Sequence, residues 1–172
     1  MSESRYPFEK YENISQLPYD VITLIIQLIE NYDKKAFEFI INNQFQLKNI
    51  KTNVISFDIK PFLRQVIKWD ECDCRGRKHI ENMKSEIFNG YKFPPVIHNF
   101  ENSCYGPLDG RHRIIAMSEI GYNYVESISL DDIINQIIKI SNEIWIIINF
   151  ILTLTTKLTI IIKQFRDFSS VG

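Results

Sequence analysis

A chain of 172 residues, 45% hydrophobic and 24% charged, has material for one sizeable core and at most a small appendage. Its 20 basic and 21 acidic side chains leave a net charge of -1, unlike proteins that hold nucleic acid nonspecifically by charge alone. Six Gly and six Pro exclude a collagenous or linker-like chain, and the apolar content excludes global disorder.

The N-terminus (MSESRYPFEKYEN) is polar and acidic, with no apolar core leading to a small-residue cleavage site, so no secretory signal is expected. Cys72, Cys74 and Cys104 form an odd set whose first two members stand too close for an unstrained bridge. Together these features predict a reducing, cytoplasmic location. Cys72 and Cys74 with His79 offer three zinc ligands at an unusual spacing, and no metal site is expected from them.

Residues 1–50 form an N-terminal helical segment. Pro18 suits the first turn of a helix, and Ile22, Ile25, Ile26 and Ile29 fall at helical spacing. Asn31-Tyr32-Asp33 reads as a break, after which Ala36, Phe37, Ile40 and Ile41 continue a second short helix. The expectation is a helical pair.

Residues 51–130 change character. Thr52 to Asp58 is rich in β-branched residues and predicts a strand. Residues 77–89 predict a helix with Ile80, Met83 and Ile87 on one face and Gly90 at its C-terminal cap. Phe93-Pro94-Pro95-Val96-Ile97 leads into an extended segment, because Pro donates no ladder hydrogen bond and restricts its predecessor. A turn is expected over 102–106. Asp109-Gly110 then opens a helix with Ile114, Ile115, Met117 and Ile120 as apolar positions, closed by Gly121, and Tyr124 to Ser129 reads as a returning strand. The fold class predicted is α/β (α+β): a small mixed sheet with packed helices.

Residues 131–172 are Ile-rich. From Ile133 to Phe165 apolar residues alternate four and three apart, with Asp131 and Asp132 at the start and Lys163 and Arg166 near the end, matching a helix dipole. A seam roughly 50 Å long exceeds what one small domain covers, which favours a coiled coil or packing back on the N-terminal pair. Residues 133–165 would then serve a homo-oligomer or a helical partner. Two alternatives compete: a membrane span over 144–162, against which Asn149, Lys157 and the threonines weigh, and strand structure over 152–162.

Chemistry concentrates in Leu108-Asp109-Gly110-Arg111-His112-Arg113. Gly110 permits unusual backbone conformations and removes bulk where a ligand approaches. The N–H groups opening the next helix form an anion site, reinforced by the helix dipole. Arg111, His112 and Arg113 bring cations to the same turn, and Arg binds phosphate oxygens in a bidentate manner. The plain alternative is a solvated basic turn in which Arg113 pairs with Asp109. Arg75-Gly76-Arg77-Lys78-His79 is a second basic cluster, able to extend a phosphate site, touch nucleic acid or remain solvated. Trp69 reads as core or interface, and His79 and His98 as ordinary surface or hydrogen-bonded histidines.

Lys78 to Ser129 resembles the ParB/sulfiredoxin superfamily. The carrying residues are Phe93-Pro94-Pro95-Val96-Ile97, then Asp109-Gly110-Arg111-His112-Arg113 with Ala116, then Gly121 followed by Tyr124-Val125. The resemblance covers about 50 residues, and nearer half the chain if Thr52 to Asp58 is the family's first strand. It implies that His112 and Arg113 bind the phosphates of ATP or CTP, with Mg²⁺ accompanying the triphosphate. Lys78 and Ser85 match the helix residues that assist in sulfiredoxins, while Glu81 replaces a serine of that pattern. Arg111 stands where sulfiredoxins carry their catalytic Cys, so sulfiredoxin activity is excluded. Serine kinases of the superfamily use a carboxylate base; Glu71, Asp73, Glu81 and Asp109 are candidates, Asp109 and Glu81 foremost. The resemblance thus implies a nucleotide-binding protein, an ATPase or small-molecule kinase if it is an enzyme. A DNA-associated ParB-like protein, binding or nicking DNA, and a degenerate interaction module are the alternatives.

Overall fold

The computed structural model describes residues 8–60, 63, 74–99 and 107–169. Trp69, Glu71, Cys72, Asp73, Cys104 and the turn expected over 102–106 lie outside the described residues. Helix α1 spans Tyr19–Tyr32 and α2 spans Lys34–Asn42. The break between them is a single residue. Asp33 is extended, and its Oδ1 accepts the Ala36 N–H at 2.9 Å, so one side chain ends the first helix and caps the second.

Three strands follow: β1 Val54–Asp58, β2 Val96–His98 and β3 Tyr124–Ser129. Central β3 runs antiparallel to β1 and parallel to β2, so the sheet is small and mixed. Between the strands lie α3 (Cys74–Phe88) and α4 (Arg111–Glu119), and β3 passes directly into α5 (Leu130–Ser169). The α+β architecture read from the sequence is therefore present.

Side-chain alternation along the strands sorts the core into two layers. Ile97 and Ile128 face one cluster, made with Val21, Ile25 and Ile29 of α1, Ile40 of α2, and Leu130, Ile133 and Ile137 of α5. Val96 and Val125 face the other, made with Ile80 of α3 and Ile114, Ile115 and Met117 of α4. Helices on both faces explain why all three residues of β2 are buried. The first cluster draws on all three sequence segments, 1–50, 51–130 and 131–172, so the N-terminal pair and the start of α5 share one core with the sheet.

Along α5 the environment changes. Its first turns are buried against α1 and α2, but Trp145, Phe150 and Leu158 are exposed by 68%, 64% and 60%. Strand structure over 152–162 is corrected: this stretch is helical. Instead of breaking the helix, Thr153 and Thr159 each donate to the carbonyl four residues back, at 2.8 Å.

Candidate functional site

Residues 107–109 turn back along β2. Ile97 donates its N–H to Asp109 O at 3.3 Å and accepts from Leu108 and Asp109 at 2.8 and 3.2 Å. That pairing delivers Gly110 to the start of α4 with φ at +94°. A Cβ on Gly110 would lie 2.8 Å from Val96 Cβ and 3.2 Å from Arg113 Nε. Its missing side chain therefore faces the sheet, not a ligand as the sequence suggested. Glycine is required here for close packing and a left-handed turn.

Arg113 lies four residues beyond Asp109 and is only 8% exposed. One terminal nitrogen donates to the carbonyls of Pro94 and Pro95, the latter at 3.1 Å, and the other to the Asp109 carboxylate. Burial pulls the guanidinium below its ordinary pKa, while Asp109 and Asp20 favour its charge. The sequence alternative of an Arg113–Asp109 pair is thus present, but buried instead of solvated. It ties the Pro-Pro segment to the first turn of α4.

Around this turn opens a cleft of about 680 Å³. Arg111, His112 and Arg113 line it with Pro18, Asp20, Val21 and Leu24 from the start of α1, His79 and Met83 from α3, and Tyr91, Phe93 and Pro94. Helix geometry leaves the backbone N–H groups of residues 111–113 without carbonyls four residues back inside α4. They carry the positive end of its dipole. Arg111 is exposed, and the His112 ring meets His79 edge-on with centroids 5.3 Å apart. At the rim, Tyr91 is 57% exposed and packs edge-on against Phe93 at 4.9 Å.

Of the residues singled out in the sequence, Asp109, Gly110, Arg111, His112 and Arg113 come together in this cleft. Lys78 and Ser85 are exposed on α3 and do not line it. At about 100° per residue they lie on a different stripe of α3 from His79 and Met83. Glu81 is also outside the lining. It pairs with Arg77 at 2.7 Å and Lys84 at 3.1 Å, and both cations also reach Glu119, at 2.5 and 3.0 Å. Hydrogen bonds from Arg77 and Lys84 hold Glu119 below the usual carboxylate range. Within the basic cluster, Arg77 is thus committed to carboxylates. Asp109 is in the cleft but engaged by Arg113.

No family model, curated protein or solved structure matches this chain.

His79 stood in the sequence within the Arg75–His79 basic cluster, with an ordinary histidine favoured for it alone, and its position four residues before Met83, on the edge of the α3 apolar stripe, was the signal for the cleft. Asp20 was not indicated by the sequence. It lies 89 positions before Asp109, and no local pattern connects them. His98 is buried in the sheet, where its Nδ1 contacts Ser127 Oγ, which in turn donates to Val96 O at 3.0 Å. Since that hydroxyl proton is used, His98 carries its proton on Nδ1, the hydrogen-bonded alternative of the two sequence readings. Burial pushes its pKa down to about 4, so the ring is neutral at pH 7.

Proposed function

We propose that the cleft binds the phosphates of a nucleoside triphosphate, ATP or CTP with Mg²⁺, at the first turn of α4. The observation that carries this is the opening of that turn, with Arg111 and His112, into a cleft of about 680 Å³. Such a volume lies within the range of roughly 300–1,000 Å³ typical of small-molecule sites. Resemblance of the Asp109–Arg113 turn to the ParB/sulfiredoxin superfamily points to the same ligand.

Within this reading the residues divide by position. Backbone N–H groups at 111–113 and the Arg111 and His112 side chains take the phosphate oxygens, and His79 completes that wall. Arg113 adds its charge while its fork, held by Asp109, Pro94 and Pro95, keeps the turn in place. Tyr91 offers an aromatic face to the base. Mg²⁺ would be held mainly by phosphate oxygens and water, with Asp20 the cleft carboxylate nearest that task. Lys78 and Ser85 would need to reach in from the adjacent stripe of α3. Glu81, tied to Arg77 and Lys84, is poorly placed as a base. A nucleotide ligand also accords with an intracellular location for this domain.

The test is a thermal-shift panel of ATP, CTP, GTP and their diphosphates, with and without Mg²⁺, on the full chain and on Arg111→Ala. A ligand at 100 times its Kd stabilises by about 2.7 kcal/mol, a readily visible shift. Stabilisation by one nucleotide, lost in Arg111→Ala, supports the site and names the base. Absence of any shift at millimolar nucleotide refutes it. Affinity for DNA that falls steeply with salt would favour the DNA-associated alternative.

A further inference from the structure

We infer that residues 144–162 of α5 cross a lipid bilayer and tether the α+β domain to it. Leu130–Thr159 is long and apolar enough for a span, and scarcely any of its most apolar stretch is buried. Nineteen helical residues extend about 28 Å, close to the roughly 30 Å of a bilayer's hydrocarbon core.

The distribution of apolar residues decides between lipid and a second copy. A two-stranded coiled coil would use the seam Ile144, Ile147, Ile151, Leu154 and Leu158. It would leave Trp145, Ile146, Ile148, Phe150 and Leu152 in water, and these are already 50–68% exposed in the chain. Four consecutive apolar residues, Trp145 to Ile148, cover every direction around the helix. A helix apolar on all sides needs a solvent apolar on all sides.

The threonines that weighed against a span in the sequence lose that weight in the structure. Thr153, Thr155 and Thr159 donate to helix carbonyls at 2.8, 2.9 and 2.8 Å, and Thr156 does so at 2.5 Å. Their hydroxyls are satisfied inside the helix, as hydrocarbon requires. Lys157 lies five residues, or about 8 Å, from the end of the segment, where a long stem carries its charge to the interface. Asn149 remains as one polar side chain at depth. Such a group costs insertion energy, but a single amide does not outweigh the apolar residues around it.

The experiment is flotation of the full chain with neutral phosphatidylcholine vesicles, reconstituted from detergent, in 1 M salt to suppress electrostatic adsorption. Two double variants matched in depth accompany it: Ile147→Asp/Ile151→Asp on the seam and Ile146→Asp/Leu152→Asp off it. Unchanged thermal unfolding of each variant's α+β core confirms that folding survives. The expected result is flotation of the full chain, lost at least tenfold in both variants. Failure of the full chain to float overturns the inference. So does flotation that survives in either variant. A discrete oligomer in vesicle-free buffer, dissolved by the seam variant alone, would assign the surface to a second copy instead.

Discussion

Replacing Gly110 with Ala separates the two reasons for a glycine at the head of α4. A φ of +94° in an L-residue costs roughly 1–2 kcal/mol. The new methyl would also meet Val96, whose Cβ lies 2.8 Å away and whose side chain is fully buried in the sheet. Forcing it in adds about 1–3 kcal/mol of overpacking. The expected total is roughly 2–5 kcal/mol. Gly90 and Gly121 are the internal controls: their φ values are +83° and +92°, yet a Cβ at either would meet nothing within 4 Å. Gly90→Ala and Gly121→Ala should therefore carry the backbone cost alone, roughly 1–2 kcal/mol. Urea unfolding at a slope of about 2 kcal/mol per molar would place the midpoint of Gly110→Ala about 1–2.5 M below wild type. The controls should fall by about 0.5–1 M on the same scale. Adding Val96→Ala to Gly110→Ala should destabilise by less than the sum of the single changes, because the two sites share one space. Equal midpoints for all three single variants would refute the packing argument.

Arg113→Ala removes the donor from the buried end of Asp109 and from the Pro94 and Pro95 carbonyls. Because Asp109 retains some exposure, the loss should be near the low end for a broken buried pair, about 3 kcal/mol, read by chemical denaturation. Asp109→Asn/Arg113→Ala should cost less than the two single changes added together. Arg111→Ala, at an exposed position, should leave stability within about 0.5 kcal/mol while abolishing any nucleotide-induced shift. His98 is held neutral in the fold, with its pKa depressed to about 4 from an ordinary value of 6.5. The contribution of its neutral form is complete above pH 6.5 and is lost as pH falls towards 4. At about 1.4 kcal/mol per pH unit the loss over that window is at most about 3.5 kcal/mol. His98→Asn should flatten stability against pH over that window, and an unchanged slope would show that His98 is not the titrating group.

Much of the fold was legible because it follows from local pattern. Ile22, Ile25, Ile26 and Ile29 marked α1, the β-branched run after Thr52 marked β1, and Asp109-Gly110 marked the head of α4. Each depends on a few neighbouring residues. The pairing order was not legible, since β3 lies between β1 and β2 and the register is set by contacts far apart in sequence. Alternating Thr and Leu from Leu152 onward suited a strand or a helix equally. The segment is helical in continuity with turns that pack on α1 and α2, and the threonine hydroxyls are accommodated by bonding back along it.

By itself the sequence determined the class of fold, the place of the Asp109–Arg113 turn and the apolar character of the C-terminal stretch, since each is written in adjacent residues. Only the tertiary structure decided what those residues face. Gly110 turns out to be pressed against Val96, Arg113 to be a buried tie instead of an open fork, and His79 and Asp20 to share the cleft. Direction and burial depend on how helices stack on a sheet, and no spacing along a chain specifies which distant side chain will fill the opposing space.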